Sequence, residues 1–453
     1  MPRWLICAVV VDAERRTILV DAQGPDGPPV ARVPTAELPA GDAPETSAPV
    51  DAIEQVLGRP IVPLWMRAVE VAPDEQSGVM VTLVAAEADR DGASGRTFLP
   101  AEAVVDTLEP ELTRPVLRRW LDGLDGHIDA RTPPWVSPSW YPRIAGWIDE
   151  RMRLAGVPPI DRPRIVYQSS IGTVLRTPAA SEVTFTKCPA PLFHAEARIT
   201  RALAARTPDR VPEVIDIEPA EGWLLMRDFG GRTLGETPQA AWARGLADVA
   251  QVQRSWVDGH DALLAAGAQR RPLADLIDRL PGIPEVDGFG DRMPPLLRDA
   301  WSAALPRLID AGHALADIGL PDALLHGDLH PWNVAASESG LRVFDWSDAA
   351  IGPSFLDLAL FLGRADDLDL RMIMRDAYLD VWADAAPRER LEQATELAMA
   401  VGAIYQVMTY QTLLPALPPE DAAEFAGADV DWLGRAILGL DHGLAATFPR
   451  FGQ

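Results

Sequence analysis

Two carboxylates and one amide are spaced along a short stretch of the chain as Asp328, Asn333 and Asp345. Asp328 and Asn333 lie five residues apart in His326-Gly327-Asp328-Leu329-His330-Pro331-Trp332-Asn333, and Asp345 follows twelve residues later in Val343-Phe344-Asp345-Trp346, at the end of an apolar run. A carboxylate that orients an attacking hydroxyl, with oxygen ligands for a metal ion close by, suits phosphoryl transfer. That reaction asks a protein for positioning and charge neutralisation more than for covalent chemistry. The five-residue spacing lets one loop present a base to the acceptor and, further on, a neutral amide oxygen to the metal. A bare Asp-x4-Asn carries little information; the flanking His326, Gly327 and His330 and the downstream Asp345 make it specific.

The same chemistry needs a cation on the donor's α- and β-phosphates. Lys187 ends the strand-like run Val183-Thr184-Phe185-Thr186 and is the only lysine of the chain, every other basic residue being arginine or histidine. A compact ammonium suits a point-charge role on phosphate, and Glu196, nine residues on in the following helix, is placed to fix it. Between two strand candidates, Gln168-Ser169-Ser170-Ile171-Gly172-Thr173 offers phosphate the backbone N–H groups of Ser169, Ser170 and on to Gly172.

Taken together, these motifs resemble the aminoglycoside phosphotransferase and choline kinase family, whose signature HGDxHxxN is followed by an I/F-D-W/F segment. Ile351-Gly352-Pro353-Ser354-Phe355-Leu356-Asp357-Leu358-Ala359 is similar to that family's G-x(3–4)-D-L-A element. The resemblance spans about residues 140 to 450. It implies ATP and Mg2+ as cofactors, Asp328 as catalytic base, Asn333 and Asp345 as metal ligands, and His326 and Asp357 as structural supports of the loop. It further implies that backbone near Met226 to Asp228, in Trp223-Leu224-Leu225-Met226-Arg227-Asp228-Phe229-Gly230-Gly231, bonds the adenine ring. His330 reads as a buttress like His326, and Asp357, at a helix start, reads equally well as a plain N-cap. Trp332 replaces a glycine common in the family and either shapes the acceptor pocket or simply packs. Acceptors in this family include aminosugars, aminoglycosides, other sugars, choline-like amines and homoserine-like amino acids.

These residues need elements to position them. A chain of 453 residues, 48% hydrophobic and 24% charged, is a folded protein of two or three domains. The expected class is α+β: a bilobal protein-kinase-like fold, with a small β-rich lobe and a large α-helical lobe, preceded by a small α/β domain. The divisions are 1–110 for that domain, 111–138 for a linker with a short helix, 139–232 for the small lobe with its leading helix, and 233–453 for the helical lobe. Strands are expected at Leu5–Val11, Thr17–Val20, Val79–Ala85, Arg164–Tyr167, Thr173–Thr177, Val183–Lys187 and Trp223–Met226. Helices are expected at Val50–Leu57, Arg114–Leu121, Trp140–Leu154 and Leu192–Ala205, then almost continuously after Gly231. Ala22 to Pro49, rich in Pro, Gly and Asp, reads as mostly loop.

Within 1–110, Leu38-Pro39-Ala40-Gly41 and Thr97-Phe98-Leu99-Pro100-Ala101-Glu102-Ala103 resemble a Nudix fold. The helix Asp51-Ala52-Ile53-Glu54-Gln55-Val56 holds a single glutamate and lacks the set that binds magnesium there, so such a domain is hydrolytically dead and serves binding, regulation or packing. The formal charge of −25 excludes a general nucleic-acid binder and suits a neutral or cationic acceptor better than a polyanion. The run Asp366-Asp367-Leu368-Asp369 leans towards an amine-bearing acceptor, although such a run reads first as a solvated loop. Cys7 and Cys188 give no disulfide or metal spacing. No apolar run of membrane-spanning length is expected and Leu5–Val11 lacks the flanks of a signal peptide, so the chain reads as cytoplasmic, with neither membrane nor nucleic acid as partner. The best reading is a small-molecule kinase with a hydroxyl acceptor. The alternative is a nucleotide-binding pseudokinase, or a regulatory binding protein, with a sensor domain at its N-terminus. Oligomeric state has no signature in the sequence.

Overall fold

A computed structural model describes residues 3–21, 31–41, 46–72, 77–85, 96–127, 129–337 and 340–446. The chain packs as two compact units, Met1–Ala190 and Pro191–Gln453, and its class is α+β.

In the first unit the apolar run near the N-terminus becomes the strand β1 (Arg3–Asp12). Ile6 to Val11 are all buried, and burial on both faces explains why the run is unbroken instead of alternating. β2 (Thr17–Asp21) and β3 (Thr35–Pro39) pair antiparallel with the two ends of β1. β4 (Val62–Val71) pairs antiparallel with β5 (Gly78–Ala85), which runs parallel to β1, and β6 (Arg96–Pro100) closes on β2. α1 (Ser47–Leu57) lays Val50, Ile53 and Leu57 on Trp4, Ile6, Ala8 and Val10. It stops at Gly58, which takes the left-handed φ of 67° that glycine adopts without a Cβ penalty. α2 (Ala101–Val104), α3 (Arg114–Leu124) and α4 (Trp140–Leu154) follow. α4 buries Ile144, Trp147, Ile148 and Met152 along one stripe. β7 (Arg164–Gln168), β8 (Gly172–Pro178) and β9 (Val183–Pro189) then form an antiparallel meander.

Three strands of this unit, β3, β4 and β6, lie outside the strands expected from the sequence. Thr35–Pro39 lies inside the stretch expected to be loop and is drawn into the sheet by β1; residues 22–30 and 42–45 of that stretch lie outside the described residues. β4 carries Pro63 and two irregularities of register, which hide its alternation, and as an edge strand it tolerates both.

The second unit begins with a 3₁₀ turn at Pro191–Phe193, so the helix expected from Leu192 starts only at Glu196 as α5 (Glu196–Arg206). A hairpin of β10 (Val214–Glu218) and β11 (Trp223–Arg227) leads to β12 (Arg232–Thr233). Next come α6 (Trp242–Arg254), α7 (His260–Ala266), β13 (Gln269–Arg270), α8 (Leu273–Arg279), α9 (Phe289–Arg292) and α10 (Pro295–Ala316). Four short strands follow: β14 (Ala323–Leu325), β15 (Val334–Ser337), β16 (Gly340–Val343) and β17 (Ala350–Gly352). The chain ends in α11 (Leu358–Leu362), α12 (Leu368–Val381), α13 (Arg388–Ala416), α14 (Pro419–Ala422) and α15 (Ala428–His442). β14 pairs antiparallel with β17 from Ala323 opposite Gly352 to Leu325 opposite Ala350. Residues 326–349 are therefore an excursion closed at its base, and they carry Asp328, Asn333 and Asp345.

Contrary to the sequence reading, α13 is long and apolar enough to cross a membrane: it has 29 residues, and 72% of its most apolar window is buried within the protein. It is apolar because it is the core helix of this unit. Two glycines let neighbours approach it. A Cβ on Gly402 would lie 2.4 Å from the carbonyl oxygen of Leu356, and one on Gly439 of α15 would lie 2.9 Å from the backbone of Met399 and Ala400. Gly402→Val is expected to lower stability by about 1–3 kcal/mol through overpacking, read as a fall in the urea midpoint. An unchanged midpoint would show that the crossing has slack.

Candidate active site

The two amides that follow β14, those of His326 and Gly327, both donate to the carboxylate of Asp357, at 2.8 and 3.0 Å. Gln253 of α6 donates to the same carboxylate at 2.7 Å, and the Tyr378 hydroxyl of α12 donates to Gln253 Oε1 at 2.8 Å. Asp357 makes no side-chain bond to the amides of α11, so it braces the loop and does not cap the helix. Burial pushes its pKa up to about 7, with the charge of Asp328 adding to the rise and the three donors opposing it.

Gly327 has a φ of 86°, and a Cβ there would lie 2.4 Å from the carbonyl oxygen of Asp348. Its own carbonyl accepts from Gln406 of α13 at 2.7 Å. His326 is fully buried. Its Nε2 lies 3.0 Å from the Phe344 carbonyl and its Nδ1 3.3 Å from the Asp328 amide, so a neutral ring protonated on Nε2 satisfies both. The ring also packs on Trp346, with centroids 4.5 Å apart. Asn333 donates Nδ2 to the Asp328 carbonyl at 2.9 Å, which leaves Oδ1 as an acceptor. The Phe344 amide donates to the Asn333 carbonyl at 3.1 Å. Phe344 is thus bonded to both His326 and Asn333, and the residue after it is Asp345.

Asp345 has a φ of 65°, a conformation rare outside glycine that Asp tolerates, and Ser347 donates to its Oδ1 at 2.8 Å. Among the described residues, no group of three or more His, Cys, Asp and Glu could hold a metal by itself. Asn333 Oδ1 and the Asp345 carboxylate are hard oxygen donors, and Mg2+ takes its remaining ligands from water and phosphate, so the donor set fits that ion.

His330 Nε2 lies 3.6 Å from Asp328 Oδ2, beyond hydrogen-bond reach. Burial first, and then the charge of Arg364, lower its pKa to about 4, so at neutral pH the contact is not an ion pair. Trp332 is 36% exposed. Its indole packs so closely on Gly235 that a Cβ there would lie 2.3 Å away, and the Arg364 guanidinium lies 5.9 Å over its ring. The acidic run is engaged at a helix start: Asp367 caps α12 through the Leu370 amide at 2.8 Å, and Asp366 accepts from Gln239 at 3.0 Å.

Other expected residues lie further off in sequence. In the first unit, Lys187 sits on β9 opposite Val174. The turn between β7 and β8 closes on itself: the Ser169 amide donates to the Gly172 carbonyl at 2.9 Å and the Ile171 amide to Ser169 Oγ at 3.3 Å. Two of the amides expected to face phosphate are therefore spent inside the turn. Ser170 is buried, and its hydroxyl accepts from Arg67 of β4 at 2.8 Å. The Gln168 amide donates to Thr46 Oγ1 at 3.0 Å, and Arg164 pairs with Asp51 and Glu54 of α1 at 2.7 and 2.9 Å. In the second unit, Glu196 is the first residue of α5 and is 2% exposed. Met226 pairs across the hairpin with Val214, and Asp228 accepts the Gly230 amide at 2.8 Å. The Phe229 ring meets Phe344 with centroids 5.3 Å apart, which links that turn to the segment bearing Asp345.

Sequence reasoning missed Gln253, Gln406 and Arg364. They reach the loop from α6, from α13 and from the end of α11, and no spacing marks them.

Asp357 binds its proton more tightly in the folded chain than at the ordinary value of 3.8. Its contribution to stability is therefore fully present below about pH 4 and is lost as pH rises through 7. The stability of the wild type relative to Asp357→Asn is expected to fall by on the order of 4 kcal/mol between pH 4 and 8, measured by urea unfolding at each pH. A difference that does not vary with pH would contradict this. The His330 ring is expected to stay neutral by NMR from pH 6 to 8.

The phosphotransferase enzyme family (APH) matches residues 172–405, more than half of the chain. No curated protein sequence matches it. Among solved structures the chain is similar to a macrolide 2'-phosphotransferase of Brachybacterium faecium, at 19% identity and a TM-score of 0.46, over 63% of this chain and 97% of that one. It is also similar to a choline/ethanolamine kinase family protein of Mesorhizobium loti, at 17% identity and 0.45, over 65% and 98%. A third similar structure is a choline kinase of Cryptosporidium parvum, at 11% identity and 0.47, over 67% and 98%. The family match takes in Lys187, Glu196, Asp328, Asn333, Asp345 and Asp357, the residues whose types and spacing pointed to phosphoryl transfer. The chain belongs to the phosphotransferase enzyme family.

Proposed function

We propose that this protein is an ATP- and Mg2+-dependent kinase that transfers the γ-phosphate to a hydroxyl group of a small molecule. The observation that carries the reading is the hydrogen-bonded frame that holds Asp328, Asn333 and Asp345 in one closed excursion. Asp328 orients the acceptor hydroxyl and takes its proton as the new oxygen–phosphorus bond forms and the bond to the departing ADP breaks. Asn333 Oδ1 and Asp345 would hold the metal, which would supply positive charge to offset that of the phosphates. Lys187 supplies the cation for the α- and β-phosphates, and backbone between Met226 and Asp228 receives adenine. His326 stays neutral and holds the loop to Phe344, and His330, neutral at pH 7, takes no part as a charged partner of Asp328.

Residues 1–110 serve as a binding or regulatory domain without hydrolytic activity of their own. Glu54, the one glutamate of α1, is engaged by Arg164 and by the Ile61 amide at 3.0 Å.

Asp328→Asn is expected to lower kcat by roughly 10²- to 10⁴-fold with ATP binding retained. Lys187→Met is expected to raise the KM for ATP at least tenfold, an effect of about 1.4 kcal/mol. Both are read from acceptor-dependent ADP release over a panel of sugars, amino alcohols and hydroxy acids. Activity that survives Asp328→Asn would remove Asp328 as the base. Intact ATP binding without turnover of any acceptor would identify a pseudokinase.

A further inference from the structure

We infer that Arg67 and Thr46, both in the leading domain, are positioning residues of the donor site: they hold the β7–β8 turn in the shape that meets the phosphates of ATP. This rests on the reading of that turn, Gln168 to Thr173, as the segment that faces the donor's phosphates.

A turn that lays its backbone on phosphate needs close approach, and glycine permits it. Phosphate-binding turns elsewhere draw on several glycines for this. This one has Gly172 alone, among Gln168, Ser169, Ser170, Ile171 and Thr173. Its shape comes from hydrogen bonds instead. The Ser169 amide and hydroxyl both donate to the Gly172 carbonyl, at 2.9 and 3.4 Å. The Ile171 carbonyl accepts the amide of Ala190, the residue after β9, at 2.8 Å.

The other bonds come from the leading domain. Arg67 of β4 donates Nη2 to Ser170 Oγ at 2.8 Å, and Ser170 is 6% exposed. The Arg67 guanidinium also lies over Trp65, two residues back on the same strand, with Cζ 5.5 Å from the ring centroid. That contact restricts where the guanidinium can go. The Gln168 amide donates to Thr46 Oγ1 at 3.0 Å, and Thr46 is likewise 6% exposed. Gln168 Nε2 reaches the Pro63 carbonyl at 3.3 Å. Thr46 and Pro63 thus fix where the turn begins, and Arg67 fixes its middle. Beneath it, Arg164 of β7 pairs with Asp51 and Glu54, which share one face of α1.

Polar groups buried to this depth are costly to leave unpaired, so the bonds hold with or without a nucleotide. A turn already fixed has little conformational freedom left to lose when a ligand docks on it, and the ligand binds more tightly for that reason. Cutting the bonds returns that freedom, and ATP must then order the turn as it binds. Arg67 and Thr46 act through Ser170 and Gln168, so their effect falls on the affinity for phosphate and not on the proton transfer at Asp328. The leading domain is in this way a working part of the donor site.

The test measures the Kd of ATP with Mg2+, and of adenosine, for the full chain by isothermal titration calorimetry, which needs no acceptor. Thr46→Val keeps the side-chain volume and removes the hydroxyl; Arg67→Met keeps the stem and removes the donor. In each, the Kd for ATP is expected to rise about five- to tenfold. The Kd for adenosine, which offers no phosphate to the turn, is expected to stay within about twofold. Thr46→Ser and Arg67→Lys keep the acceptor and the donor, and each is expected to restore ATP binding to within about twofold of the wild type. Hydrogen exchange gives a second readout without any ligand: the Gln168 amide is expected to be protected in the wild type and to exchange about tenfold faster in Thr46→Val. Thr46→Val carries the test alone if Arg67→Met does not fold. An unchanged ATP Kd in either variant, or an unprotected Gln168 amide in the wild type, overturns this inference and leaves the proposed function standing. An equal loss for ATP and adenosine also overturns it, since a general loss of structure acts that way, as does a failure of Thr46→Ser to restore binding. A wild type that does not bind ATP removes the proposed function and this inference together.

Discussion

A single carboxylate, sealed from water, fixes the loop that carries Asp328 and Asn333. Asp357 collects two backbone amides from the start of the loop and one side-chain amide from α6, and Gln253 passes the connection on to Tyr378 of α12. An acid in that position is costly to bury unless donors surround it, and the donors it collects join two distant parts of the chain, the loop start and α6. The loop is therefore located by an electrostatic demand at its base, not by contacts at its tip. The tip, where Asp328 lies, is left exposed enough to meet a substrate.

From that base the order propagates through His326. Its two ring nitrogens satisfy the Asp328 amide on one side and the Phe344 carbonyl on the other, so one side chain sets the distance between the two halves of the site. Asn333 bonds the same two places through its own side chain and carbonyl. Asp345 sits just beyond, in a backbone conformation that is unfavourable alone and is held by its neighbours. Strain placed here keeps the carboxylate from relaxing into an ordinary turn.

Much of this was legible in the chain before any coordinates. Asp328, Asn333 and Asp345 announce themselves because phosphoryl transfer needs fixed residue types at nearly fixed intervals along one excursion. Lys187 stood out as the only lysine. Elements with a clean period, such as α4, were readable to the residue, while β4 was hidden by Pro63 and its irregular register. Asp357 could be read from its surroundings as a support or a cap, and only the hydrogen bonds distinguish them. Gln253, Gln406 and Arg364 were invisible for a different reason. They come from elements far apart in sequence, and nothing in a helix's own sequence tells which side chain will meet the loop. The apolarity of α13 went unregistered in the sequence, and its burial accounts for it: a core helix is as apolar as one that crosses a bilayer.

The tethering of the β7–β8 turn by Arg67, Thr46 and their neighbours bears on how this chain has been able to change. A segment joined to an enzyme by a loose connection can drift, be exchanged or be lost without altering the enzyme's own residues. Here Arg164, Gln168 and Ser170 take their hydrogen-bond partners from residues 1–110. A substitution on either side of these bonds leaves a polar group without its partner, so a change in the leading segment is felt in the turn and the reverse.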